Sequence, residues 1–187
     1  LSECERNFDI IFTMTRIKVA IIDLDGTLTD GTYRVSENGD VSKAFNTKDF
    51  HGLSKLQDLG VKVYIITGAT DMCIEQQFKR LPIVAKTNLY VFSAVLDKKL
   101  RINNVILSGK DITFDNIAYM GDDDNDLECM QLSKITGCPA DAVDEIKQES
   151  NHISDNKGGH GAVRDFVNLL IRYHKENKII LGEKNES

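Results

Sequence analysis

Three short apolar runs that break off on polar residues constrain this chain most. "KVAII" ends at Asp23, "VKVYII" at Thr67 and "NIAYM" at Gly121–Asp122. None alternates between apolar and polar, so each reads as a strand buried on both faces, as parallel sheets require. Segments of helical period separate them. Phe50, Leu53, Leu56 and Leu59 recur at helical spacing ahead of Gly60, a natural C-cap. "DMCIEQQFKRL" (Asp71 as its cap, Pro82 beyond its end), "DDDNDLECMQLS" and "DAVDEIKQE" read as further helices. In "AVRDFVNLLIRYHK", Val163, Phe166, Val167, Leu170 and Ile171 share one face. "NLYVFSAV", "ITGCPA" and "HISD" are weaker strands, and "KKLRINNVILSG" is an indifferent helix rich in β-branched residues. Strands alternating with helices predict βαβ units. The fold class is therefore α/β, a Rossmann-like parallel sheet flanked by helices. "TYRVSENGDVSKAF" centres on Asn38-Gly39, the strongest short hairpin signal, and predicts a β-hairpin insertion after the first strand. The reading is of one such domain with minimal or no cap domain.

A length of 187 residues suits a single domain, placed at 17–175, with 1–16 as a lead-in or linker remnant and 176–187 as a frayed C-terminal tail. Apolar residues at 41% and charged residues at 28% allow a real core. A net charge of -6 argues against a broad surface for nucleic acid or anionic membrane. No apolar run approaches the roughly 18 residues of a membrane span. Cys4, Cys73, Cys129 and Cys138 form no CxxC or zinc spacing and read as free thiols in a reducing compartment, so the expected location is cytoplasmic. The first residues show neither a signal-peptide pattern nor an initiator methionine, so a processed chain, a trimmed one or a piece cut from a longer protein is expected.

A parallel sheet places its ligand site beyond the carboxyl ends of its strands. Asp23 and Asp25 fall there after the first strand, and Thr67 and Gly68 after the second. The Lys98–Lys99 pair follows the third strand, and "GDDDND" (Gly121–Asp126) the fourth. Converging carboxylates repel unless a hard cation lies among them, and Mg²⁺ takes carboxylates, carbonyls, waters and a substrate phosphate. A phosphoryl group can pass to an aspartate and then to water. Lysine, hydroxyl and cation offset charge on the moving oxygens. Gly26 lets backbone N–H groups approach a phosphate.

In this order, "DLDGT", "ITG", a lysine and "GDDDND" resemble the four motifs of haloacid dehalogenase-like phosphatases. "LTDG", the hairpin, "KAFNTKDFHGL", "VYIITG", "IAYMGDDDND", "GCPADA" and "GGHGAVRDF" extend the resemblance, over about residues 17–172, to 3-deoxy-octulosonate 8-phosphate phosphatases. Nine-carbon sugar acid 9-phosphate phosphatases and the C-terminal domain of some sialic-acid cytidylyltransferases share the pattern. The resemblance implies roles. Asp23 is the nucleophile. Asp25 is the general acid/base, with its backbone carbonyl on Mg²⁺, and Asp122 is the third protein ligand. Asp123 and Asp126 hold the metal's waters, or Asp126 only complements a helix dipole. Thr67 binds phosphate, with Gly68 beside it. For the phosphate lysine, Lys99 is preferred because the following helix then keeps its register, with Lys98 as the alternative. Substrate contacts fall to Asn46 and Asp49, or these act as turn residue and cap, and to Arg80, His160 and Arg164. Ala69, Gln77 and His160 stand where sugar-specific relatives carry arginine or glutamate.

The implied activity is Mg²⁺-dependent hydrolysis of an eight- or nine-carbon sugar acid phosphate through an aspartyl-phosphate. The implied assembly is a homotetramer whose hairpins form a central barrel. Fusion to an N-terminal cytidylyltransferase domain, with a nuclear location in that case, stays open. So do three other readings. One is a non-catalytic oligomerisation domain of a CMP-sugar-acid synthetase, against which the full set of carboxylates counts. Another is a receiver-like module, which would not need Asp25. The last is a phosphatase for another small ester, such as a nucleotide or simple sugar phosphate.

Overall fold

The computed structural model describes residues 15–70, 73–80, 88–108 and 111–180; Cys4, Asp71, Pro82, most of the lead-in and residues 181–187 lie outside them. The first strand, β1 (Val19–Ile22), is buried at every residue. It pairs in parallel with β4 (Lys62–Ile66) on one side and β6 (Ile117–Met120) on the other, so that Ile22 faces both Ile65 and Met120. Outside these lie β5 (Leu89–Phe92), β7 (Ile135–Cys138) and β8 (His152–Ile153). The order is β5-β4-β1-β6-β7-β8, and every pairing is parallel. The short strands β2 (Arg34–Val35) and β3 (Val41–Ser42) form a separate antiparallel hairpin, exposed along its length.

Two core layers explain the unbroken apolar runs. Ala20, Ile22, Val63 and Ile65 point to one face of the sheet. They meet Phe50, Leu53 and Leu56 of α1 (Thr47–Asp58), Ile74 of α2 (Cys73–Arg80) and Val163, Phe166 and Val167 of α6 (Ala162–Ile180). Val19, Ile21, Ile117 and Tyr119 point the other way. There they meet α3 (Lys98–Arg101) and the turn after it, α4 (Asp124–Leu132) and α5 (Asp144–Glu149), through Ile102, Cys129, Met130 and Ile146. Each large side chain buried this way contributes about 1.5–3 kcal/mol.

Three details differ from the sequence reading. The predicted helix "KKLRINNVILSG" holds α-geometry only to Arg101 and widens over Ile102–Ile106, where Leu107 N–H donates to the Ile102 carbonyl at 3.0 Å. Crowding by β-branched side chains accounts for that. The last helix runs to Ile180, so residues 176–180 are helical rather than frayed. Its buried Tyr173 and His174 anchor a helix that then propagates cheaply. The third difference is Asp49. It sits in the first turn of α1, fully buried, yet its carboxylate accepts from the Arg164 N–H at 2.7 Å and so caps α6. Burial pushes its carboxyl up, opposed by the Arg164 and Gly161 N–H groups. Asn46 caps α1 itself, accepting from Lys48 N–H at 2.9 Å. Among the described residues no helix is long and apolar enough to cross a membrane.

Candidate active site

The chain leaves β1 through a wide turn, Leu24–Leu28, broken at Asp25 and Gly26. Gly26 has φ +90°, where a side chain would be strained. A Cβ there would also collide with the Asp122 carboxylate. Glycine thus lets Asp122 come down onto the turn, where Thr27 Oγ1 donates to its Oδ1 at 2.8 Å. The loop after β8 closes from behind. Gly158 packs so tightly on the Gly26 carbonyl that a Cβ would overlap it, and Gly159 N–H donates to the Thr27 carbonyl at 3.1 Å.

Lys98 ties the deeper half together. Its Nζ lies 2.5 Å from Asp23 Oδ1 and 2.6 Å from Asp126 Oδ1, with all three side chains buried. Asp97 caps α3 by accepting from Leu100 N–H at 2.8 Å, which fixes the helix start and the direction of Lys98. Asp126 also accepts from Tyr119 OH at 2.6 Å and from Asp122 N–H at 3.2 Å. Two carboxylates therefore share one ammonium. Burial pushes the Asp23 carboxyl well up, Asp126 adds to that, and Lys98 opposes it. Burial likewise pushes Asp122 up to about 6, against the Thr27 hydroxyl and with help from Asp126 and Asp123. Burial alone would lower Lys98, but Asp23 and Asp126 outweigh it and keep the amine protonated.

Asp25 faces a different set of groups. Lys43 Nζ is 2.6 Å from its Oδ1, and Thr29 Oγ1 lies 3.5 Å from the same oxygen. Its Oδ2 has Thr67 Oγ1 at 3.4 Å and Tyr33 OH at 3.5 Å. Thr67 is held by its N–H to the Phe92 carbonyl and by Ala69 N–H on its Oγ1, both at 3.0 Å.

The structure thus gathers Asp23, Asp25, Thr67, Asp122 and Asp126 at one sheet edge, with Gly68 next in line after Thr67. It corrects the preferred lysine. Lys98 enters the cluster, while Lys99 points outward and pairs with Glu128 at 2.5 Å. The reason is helical geometry: successive residues diverge by about 100° around the axis, so only one of the pair can face Asp23. Asp123 is an exposed cap of α4, accepting from Asp124 N–H at 2.9 Å. Asp126 is engaged on both oxygens by protein donors, so it acts as the brace between Lys98, Tyr119 and Asp122. Arg164 Nε donates to Asn168 at 3.1 Å, and its stem lies over Gly52, so the side chain follows α6. His160 is exposed, with Nδ1 2.7 Å from the Gly158 carbonyl. Arg80 is the last residue of α2. His152 pairs with Asp165 at 3.1 Å.

Two residues were missed from the sequence. Tyr119 reads there only as one of the apolar residues of β6. Lys43 follows β3, and the hairpin register places it opposite Tyr33, but nothing local says that this pair lies over Asp25.

One carboxylate oxygen from each of Asp23, Asp122 and Asp126 lies within 4.8 Å of the others. This all-oxygen, negatively charged cluster fits a hard divalent cation. Asp126 accepts on both oxygens, while among the described residues Asp23 and Asp122 each keep one oxygen that no protein hydrogen bond engages.

Residues 76–166 match the family model for haloacid dehalogenase-like hydrolases. The 3-deoxy-D-manno-octulosonate 8-phosphate phosphatase of Escherichia coli K12 is 32% identical over 163 residues, covering 87% of this chain and 84% of that protein. Two solved structures are alike over most of their length. The same enzyme from Yersinia pestis has TM-score 0.80 and 27% identity, covering 91% of this chain and 89% of the other. The cobalt-bound form from Haemophilus influenzae has TM-score 0.77 and 25% identity, covering 89% and 94%. This chain belongs to the 3-deoxy-D-manno-octulosonate 8-phosphate phosphatase family of haloacid dehalogenase-like hydrolases, and its aspartate cluster is that of a phosphatase.

Proposed function

We propose that this phosphatase hydrolyses the phosphate ester of an eight- or nine-carbon 2-keto-3-deoxy sugar acid, with Mg²⁺ and through a phosphorylated Asp23. The carrying observation is the pair beyond β1: Asp23 gripped by Lys98 at 2.5 Å, and Asp25 two residues on beside Thr67. Asp23, the Asp25 main-chain carbonyl and Asp122 would hold Mg²⁺, which draws negative charge from the phosphate oxygens. Lys98 occupies Asp23 Oδ1 and leaves Oδ2 to attack phosphorus. As that bond forms, the P–O bond to the sugar breaks, and Asp25 passes its proton to the leaving oxygen. Asp25 then takes a proton from water, whose oxygen attacks phosphorus and releases Asp23 and inorganic phosphate. Acid–base help of this kind contributes about 10²–10⁴-fold. Thr67 Oγ1 donates to the phosphate during both steps.

The similarity to the named Escherichia coli enzyme supports the substrate class, and the cobalt in the Haemophilus influenzae relative supports a divalent ion. Arg80 and His160 are the proposed contacts to the sugar acid. A homotetramer joined by its hairpins is supported by the exposure of Tyr33, Val35 and Val41. A panel of phosphate esters assayed with Mg²⁺ tests the substrate. Phosphorylated eight- and nine-carbon sugar acids should exceed glycerol phosphate and nucleotides in kcat/KM. Equal rates across the panel would sink this class, and turnover surviving in Asp23→Asn would sink the mechanism.

A further inference from the structure

The site holds two buried lysines, and the reaction as described uses one. Lys98 is accounted for by Asp23 and Asp126. Lys43 has a wholly buried side chain, although it comes from a hairpin that is otherwise exposed. Its ammonium sits 2.6 Å from Asp25 Oδ1 and 4.5 Å from the centre of the Tyr33 ring, a cation–π contact. One step beyond the Arg34–Ser42 pair, the register sets Tyr33 directly across from Lys43. Cys73 Sγ donates to the Val41 carbonyl at 3.2 Å and ties this end of the hairpin to α2.

We infer that Lys43 is a positioning residue for leaving-group protonation, and that the hairpin aims the Asp25 carboxyl. The inference rests on Asp25 as the acid of the proposed reaction. An ammonium has no acceptor, so Oδ1, the oxygen 2.6 Å from it, is not the one that carries a transferable proton. The oxygen left to exchange protons with the substrate is Oδ2, which meets two longer hydroxyl contacts, Thr67 Oγ1 at 3.4 Å and Tyr33 OH at 3.5 Å. Lys43 thus decides which edge of the carboxyl faces the ester. The Tyr33 ring lies against the ammonium, and its OH reaches Asp25 Oδ2 at 3.5 Å. As the P–O bond breaks, the proton on Oδ2 moves to the ester oxygen, and the Asp25 carboxylate then formed stays on Lys43.

A misaimed acid matters in proportion to how badly the leaving oxygen needs its proton. A sugar alkoxide needs it, and a nitrophenolate hardly does. Lys43→Met should therefore lose on the order of 100-fold in kcat on an alkyl ester, since acid catalysis is worth about 10²–10⁴-fold. On p-nitrophenyl phosphate the loss should be only a few-fold, with KM little changed on either. Tyr33→Ala, which removes both the ring against the ammonium and the hydroxyl beside Oδ2, should show the same asymmetry at smaller size. Lys43→Arg, which keeps the donor, should recover part of the alkyl-ester rate. Equal losses on both esters in Lys43→Met and Tyr33→Ala would mean a structural role and overturn the inference, as would no loss on either. The comparison works on any alkyl phosphate that the wild-type protein turns over, so it can succeed even where the sugar-acid preference fails.

Discussion

The two halves of the site hold their carboxylates in opposite ways. The Lys98 half is assembled from the ends of β1 and β6 and the starts of α3 and α4, and Lys98, Asp23 and Asp126 are all nearly or wholly excluded from solvent. The Lys43 half hangs on a hairpin of two-residue strands whose outer side chains face solvent. Both put an ammonium about 2.5 Å from a carboxylate, yet the first is locked by the sheet and the second by one lysine and one ring. Asp23 is held by groups set between core strands and helices, and Asp25 by a lysine that an exposed hairpin carries.

The sharpest way to break this contrast is to remove Lys98. Lys98→Met leaves Asp23 and Asp126 buried without their cation, which should cost about 3–5 kcal/mol in urea unfolding. Phosphatase activity should fall with it. A fully stable variant would show that the locked half is not locked by this lysine. Next in size is Gly26→Ala, which drives a methyl group into the Asp122 carboxylate at a left-handed position. Displacing a ligand's support should weaken divalent-ion affinity by about 10–100-fold, measured by calorimetry. Unchanged affinity would remove Asp122 from the cation site.

A smaller effect comes from pH. In the metal-free protein the Asp122 carboxyl lies at about 6, raised by burial, against roughly 3.9 in the unfolded chain. Between those values the folded state binds more protons than the unfolded one. Its contribution to stability is greatest below about pH 4, falls through about pH 6 and is level above. Denaturant melts in chelator at pH 4.5, 5.5 and 6.5 should show this slope as the difference between wild type and Asp122→Asn, and Mg²⁺ should flatten it. A difference of opposite sign would contradict the burial argument. The smallest effect belongs to Lys99→Met, whose exposed pairing with Glu128 should be lost without a measurable change in kcat/KM or Tm. A large loss there would restore the lysine that the structure sets aside.

Much of the fold was legible because its signals are local. Unbroken apolar runs marked β1, β4 and β6, and helical period marked α1 and α6. The acids at the sheet edge were legible for the same reason, since a strand's end is also where a parallel sheet places its ligands. The lysine was not. Lys98 and Lys99 have the same chemistry and adjacent numbers, and only the meeting with Asp23 and Asp126, 75 and 28 positions away, shows which of them turns inward.

By itself, then, the sequence determined a parallel α/β domain with Asp23, Asp25, Thr67 and Asp122 along one edge. Periodicity and strand ends are properties of neighbouring residues, and neighbours are what a sequence displays. The tertiary structure decided what depends on contacts between distant segments. It chose Lys98 over Lys99, made Asp126 a brace, turned Asp49 into the cap of a helix 115 positions away and laid Lys43 against Asp25. Each of these is a short contact between groups that lie far apart along the chain, and no local pattern records which of them will meet.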